Sequence, residues 1–236
     1  MKKIIIAVVS VLVITLLIAV VLFQLSRSRD YQVFGKLVNR VVTTEKVVAL
    51  TFDDGPTKTA TAKIIDLLAR DNVKATFFLT GEGIEQNPDG ARSLIAAGHQ
   101  IANHSYSHQR MVFLSYQTVV DEIEKTNQQI RSVGYEGEIY FRPPYGKKLF
   151  VLPWYLQQQG ITTVTWDVEP EKDDAMATDS KAMAQYTLEQ VKPGSIILLH
   201  VMFDSRQASM DAVPLIIRGL KEKGYTFVTV DELMDL

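Results

Sequence analysis

The chain has 236 residues, a formal net charge of −2 and no cysteine. Without cysteine, disulfides, a thiol nucleophile and a cysteine-ligated zinc site are excluded. The mildly acidic balance argues against a nucleic-acid partner, and the roughly 200 residues beyond the N-terminal segment suffice for one sizeable core.

Met1-Lys2-Lys3 precedes an apolar run from Ile4 to Phe23 whose only polar members are Ser10 and Thr15. That length spans a bilayer core. The run ends Val21-Leu22-Phe23-Gln24-Leu25 with no small-x-small cleavage site, so an uncleaved signal anchor is expected rather than a removed signal peptide. Lys2 and Lys3 face Arg27 and Arg29 across the span, so the positive-inside rule is almost balanced. We read the orientation as N-terminus inside, giving a single-pass, membrane-anchored protein held through residues 4–23 with an extracytoplasmic domain. The expected division is an anchor over 1–30, a connector over 31–45 and one domain over 46–236. A monomer is expected.

Beyond the connector, strand-like and helix-like stretches alternate. Strands are expected at 47–53, 75–80, 99–103, 139–142, 161–167, 195–200 and 225–230. Helices are expected at 59–71, 89–97, 115–133, 152–159, 182–191 and 209–223, from apolar residues at helical spacing with Gly98 and Gly160 as stops. About seven β-α units imply a parallel sheet with helices outside. An open doubly wound sheet and a closed barrel both fit. We favour the barrel because polar clusters follow so many different strands, and barrel sites form from the loops at strand C-terminal ends.

Those clusters carry the chemistry. The first strand ends on Asp53-Asp54-Gly55-Pro56. Two acids at the end of a buried strand are costly without a partner, and a cation is the simplest one. One carboxylate could bind a metal while the other stays free as a base. His104 and His108 lie four apart, and on a helical turn both would face one side. Two His and a carboxylate, which Asp54 can supply, make a three-ligand zinc site with an open position. A capped turn and a surface residue would carry the same pair. In Arg142-Pro143-Pro144-Tyr145-Gly146 the rigid backbone could aim the Tyr145 N–H at an oxyanion, and Arg142 could hold Asp53 ionised. His200 closes an apolar strand and is a candidate general acid, with Glu169 as its expected partner and Asp167 after it. His99, at the start of its strand, reads as structural.

These residues resemble the polysaccharide deacetylase family, also called carbohydrate esterase family 4 or the NodB-homology domain. Thr51-Phe52-Asp53-Asp54-Gly55-Pro56 matches its first motif, His104-Ser105-Tyr106-Ser107-His108 its second, Arg142-Pro143-Pro144-Tyr145-Gly146 its third and Leu198-Leu199-His200 its fifth. The resemblance covers about residues 47–230. It implies an α/β fold, a distorted (β/α)7 barrel, here preceded by the single N-terminal transmembrane helix. It implies one divalent metal, zinc above others, on Asp54, His104 and His108. Asp53 would be the general base tethered by Arg142, Tyr145 N–H an oxyanion donor and His200 the general acid. Pro144, Tyr145, Trp166 and Leu198 would line the substrate pocket. The fourth motif departs. The family's Asp-x-x-Asp-Trp is replaced by Glu169-Pro170-Glu171-Lys172-Asp173, with Glu169 at the first acid and no closing indole.

The expected activity is removal of N-acetyl groups from an extracytoplasmic aminoglycan, either peptidoglycan or a chitin-like oligosaccharide. The altered fourth motif keeps open an O-acetyl esterase or another amide hydrolase on the same fold. An inactive carbohydrate-binding relative is the non-enzyme alternative.

Overall fold

The apolar segment that ends on Asp53-Asp54 becomes the central strand of the molecule. In the computed structural model, which describes residues 2–173 and 175–236, the strands are β1 (Leu37–Val38), β2 (Val47–Asp53), β3 (Thr76–Leu79), β4 (Gln100–Asn103), β5 (Thr163–Val164), β6 (Ser195–His200) and β7 (Thr226–Val228). β2 is buried along its whole length, as befits a parallel strand covered on both faces. It pairs in parallel with β3, with β6 and, at its start, with β7. β4 extends the sheet beyond β3.

Single parallel bridges carry the ring onward. Asn103 pairs with Phe141, Phe141 with Thr163, and Val168 with Ile197 of β6. The result is a distorted, barrel-like α/β fold. The expected strand over 139–142 is reduced to the bridges at Phe141, because Pro143 and Pro144 have no N–H to continue a ladder. The strand expected over 161–167 keeps ladder pairing only at Thr163–Val164, where β1 adds alongside it. The strand expected over 225–230 ends at Val228, because a Thr229–Glu232 capping box, whose Thr-x-x-Glu spacing stands in the sequence, starts a terminal helix there.

The helices are α1 (Lys2–Arg27), α2 (Lys58–Arg70), α3 (Gly81–Gln86), α4 (Pro88–Ala96), α5 (Tyr116–Ser132), α6 (Val151–Gln158), α7 (Ser180–Gln190), α8 (Gln207–Glu222) and α9 (Val230–Met234). Alternation along β2 sorts its side chains. Val48, Leu50 and Phe52 pack outward with Ile64 and Leu68 of α2 and Ile216 of α8. Val47 and Ala49 face Phe78, Trp166 and Leu198 inside the ring. The period of two therefore delivers Thr51 and Asp53 to the interior.

α1 stands apart. Its apolar residues are exposed from Ile4 to Val21, and an 18-residue window reaches a mean hydropathy of 3.4. By length and composition it could cross a membrane. The chain does not leave it as a free tether, however: Ser26 is buried, and β1, within the expected connector, is part of the sheet.

Candidate active site

Asp53 ends β2 facing inward and is 2% exposed. Arg142 meets it from the strand-like segment beside β4. NH1 donates to Asp53 Oδ1 at 2.6 Å and to Thr51 Oγ1 at 2.9 Å, while Nε and NH2 donate to the carbonyls of Val164 and Thr165. The guanidinium carbon lies 3.8 Å from the Phe78 ring centroid. Arg142 is thus fully buried yet hydrogen-bonded on three nitrogens, which makes a charged group tolerable there. Burial alone would push the Asp53 carboxyl up, but Arg142 beside it holds it below the usual value.

Asp54 continues past the strand with φ of 76°. That left-handed turn brings its carboxylate to the same rim as Asp53, where a continued strand would send it to the opposite face. His104 follows β4. Its Nδ1 donates to the Arg142 carbonyl at 2.7 Å, which fixes the tautomer and leaves Nε2 as an acceptor. His108 does not share a helical turn with His104, as the spacing suggested. The intervening loop has positive φ at Ser105 and His108. It is held by Glu122 of α5, whose carboxylate accepts from Tyr106 N, Ser107 N, Ser107 Oγ and Gln109 Nε2. The two imidazoles still converge, with ring centroids 5.0 Å apart.

One ligand atom each from Asp54, His104 and His108 lies within 4.8 Å of the others. His108 Nε2 and Asp54 Oδ1 are 3.4 Å apart, longer than a normal hydrogen bond. The spacing agrees with the roughly 3.4 Å between two ligands on one tetrahedral zinc. Three oxygen and nitrogen donors, one imidazole already fixed by a carbonyl, fit a divalent metal.

His200 closes β6, and its partner is Glu171, not Glu169. Nδ1 meets Glu171 Oε2 at 2.5 Å, and the backbone N–H is 3.1 Å from both carboxylate oxygens. Burial would depress the imidazole, but Glu171 and the nearby Asp53 and Asp54 raise it above its ordinary value. The other candidate, Asp167, is taken by β6 itself, accepting from Ser195 Oγ and Ile196 N at 2.8 Å each. Glu169 is held by Arg29 and by Trp166 Nε1, the latter at 3.2 Å. Pro170 stands between the two glutamates, and the chain carries Glu171 inward to a side chain 2% exposed.

A cavity of about 350 Å³ collects these groups. Asp53, Asp54, His104, His108 and His200 line it with Tyr145, Trp166, Leu198, Glu169 and Glu171. Arg142 stands behind Asp53, and Pro144 is buried beneath the turn rather than in the lining. Tyr145 adopts φ of 58° at that turn and is half exposed over His108, 4.7 Å between ring centroids. His99 is remote: its Nδ1 accepts from Ala75 N at 3.3 Å, and burial with Lys74 nearby pushes it down to about 4. Sequence reasoning missed three lining residues, Glu171, Arg29 and Arg206. The family's Asp-x-x-Asp spacing put Glu169 in the place of Glu171, and Arg29 had only the signature of a charge flanking an apolar run.

A strand-end carboxylate with a buried arginine, a metal-capable triad and a carboxylate-backed histidine around one cavity define a hydrolase-type α/β barrel site. Residues 40–164 match the polysaccharide deacetylase family, and the chain belongs to it. It is 35% identical over 194 residues to the Listeria monocytogenes peptidoglycan-N-acetylglucosamine deacetylase PgdA, covering 80% of this chain but only 39% of that protein. The crystal structure of the Bc1960 peptidoglycan N-acetylglucosamine deacetylase is 34% identical, with a TM-score of 0.79 over 84% of this chain and 92% of that one. BA3943 of Bacillus anthracis, described as a CE4 family pseudoenzyme, is 28% identical with a TM-score of 0.77, over 86% and 70% of the two chains.

Proposed function

We propose that the protein is a metal-dependent N-deacetylase acting on an extracytoplasmic aminoglycan, peptidoglycan or a chitin-like oligosaccharide. The observation that carries this is the pairing of two opposed titratable groups across one triad. Asp53 is kept ionised by Arg142, and His200 is kept protonated by Glu171. Groups driven apart in this way serve as base and acid. The similarity to PgdA and Bc1960 supports the peptidoglycan class.

Asp54, His104 and His108 would hold one divalent metal, zinc by their donor chemistry. When bound it would supply a Lewis-acid centre for water and the acetyl carbonyl. Asp53 takes a proton from the attacking water as oxygen adds to the acetyl carbon. The Tyr145 backbone N–H faces the oxygen that gains charge. His200 then gives its proton to the sugar nitrogen, the C–N bond breaks, and acetate and a free amine leave. Leu198 closes the apolar floor. We read α1 as an uncleaved anchor, the domain as extracytoplasmic and the chain as a monomer.

The test is acetate release by the full-length protein in detergent from N-acetylglucosamine oligomers, peptidoglycan fragments and O-acetylated xylan, with chelator, with zinc restored and with Asp53→Asn. Zinc-restored release from the N-acetylated glycans, abolished in Asp53→Asn, is expected. A second reading, an O-acetyl esterase, draws on the missing fourth-motif indole, and release from xylan alone would establish it. Binding without release from any substrate would move the chain to a carbohydrate-binding role such as BA3943 suggests.

A further inference from the structure

The residue that covers Trp166 comes from the segment leaving α1. Three backbone carbonyls of this segment are held by the barrel. Ser26 O accepts from Lys148 N at 2.9 Å, Ser28 O from Lys148 Nζ, and Arg29 O from Thr165 Oγ1 at 2.6 Å. Lys148 is 1% exposed, and burial pushes its amine down to about 8. So much burial around one lysine makes this a built contact. It fixes the start of the Arg29 side chain, which reaches the catalytic cavity. The Arg29 guanidinium pairs with Glu169, and its carbon lies 4.8 Å from the Trp166 ring centroid.

This changes what the cavity offers to a substrate. Trp166 is only 4% exposed, so the wall expected from its indole is roofed by Arg29. A guanidinium has five N–H donors, and its pair with Glu169 is made through NH2 alone. The Arg29 side chain is 43% exposed, so the remaining donors are open to the cavity. Arg27 and Lys147 line an adjoining cavity that shares Arg29, Tyr145 and Trp166 with the catalytic one, and Arg110 lies over Tyr145 at 5.1 Å. Among the described residues no salt bridge occupies these three cations. Three acids lie near Arg29: Glu169 is its ion-pair partner, Asp30 accepts from Asn39 and Asp167 accepts from β6.

We propose that Arg29 is a substrate-binding residue of this site, contributed by the segment that leaves α1, and that it selects a glycan bearing a carboxylate beside the acetylated sugar. Guanidinium donors match a carboxylate in geometry and charge. The inference rests on the deacetylase reading for its kinetic readout, and a binding readout keeps the two separable.

The experiment uses the full-length protein in detergent and two N-acetylated glycans of equal length. One is a neutral N-acetylglucosamine oligomer. The other is a peptidoglycan glycan strand stripped of its peptides, in which alternate sugars carry a free carboxylate. Acetate release gives kcat and KM, and quenching of tryptophan fluorescence gives affinity without turnover. Wild type is expected to favour the acidic strand about ten-fold in affinity, the scale of one charge-assisted hydrogen bond. Arg29→Ala should bring that ratio towards one, chiefly through KM, and Arg29→Lys should restore part of it. Thermal melting checks that the variants stay folded. An equal ratio in wild type and Arg29→Ala, with both folded, would overturn the proposal and leave Arg29 a structural clip. If neither glycan releases acetate but acidic-strand binding still depends on Arg29, the inference stands while the deacetylase reading falls.

Discussion

Asp53 and His200 lie in one cavity, yet their surroundings push them in opposite directions. Burial opposes the charged form of both. Arg142 reverses this for Asp53, and Glu171 with the neighbouring acids reverses it for His200. Glu171→Gln should let burial act on His200 and lower its pKa. The basic limb of the kcat/KM profile would then move to lower pH, with kcat down at least about ten-fold. Glu169→Gln should leave that limb in place, and a pH–rate series on the two variants separates them. Arg142→Met acts on the other limb. The Asp53 carboxyl rises, so activity falls away at higher pH on the acid side. Removing one member of a fully buried pair should also cost about 3–5 kcal/mol in urea unfolding. Which glutamate serves His200 was not legible in the sequence. Both are acids near a strand end, and only the turn at Pro170 decides which one points inward.

At the scale of elements, the β2 turn depends on α3. Gly55 O accepts from Thr80 N at 3.1 Å and from Thr80 Oγ1 at 3.2 Å. A Cβ on Gly83 would sit 2.1 Å from that oxygen, too close for any side chain. Gly83→Ala must therefore displace the turn that carries Asp54. Metal bound per chain after equilibration with zinc should fall, with affinity reduced about 10–100-fold as for other supports of a ligand. Retained stoichiometry and affinity would show that the turn adapts. The strands that were plain from the sequence, 47–53 and 195–200, are continuous, apolar and fully paired. Phe141 and Thr163–Val164 promised longer strands than they form, because apolar patterning reports burial, whereas ladder pairing stops at the prolines after Phe141 and extends along β1 only at Thr163–Val164. The His104–His108 pair was correctly grouped by spacing but for the wrong local reason. A loop pinned by Glu122 replaces the helical turn, and nothing in the sequence near the histidines announces a clamp from α5.

Across the full chain, the large apolar side chains of α1 from Ile4 to Val21 are exposed, and only the end of the helix, at Leu22 and Phe23, lies beside Val112 and Phe113 of the domain. If it is an uncleaved anchor, the protein should stay in the membrane fraction through an alkaline carbonate wash, and its intact mass should include residues 2–30. A mature N-terminus near Arg29 in membrane-purified protein would make it a removed signal. The order of β2, the two histidines, Arg142 and His200 along the chain made the barrel and most of its rim readable in advance. The way the N-terminal segment folds back onto that rim was not, because contacts between Lys148 and backbone carbonyls leave no trace in side-chain patterning.

That docking leaves almost no slack. From the last apolar residue of the run, Phe23, to Arg29 the chain can cover only roughly 13 Å, four residues of it helical. With α1 in a bilayer, the cavity has a fixed working height just above the lipid. A long linker would let an anchored domain sweep a thick polymer layer; this one would confine it to the innermost part. Polymer would be edited only while it passes close to the membrane, and strands displaced outward would keep whatever acetylation they carried when they left.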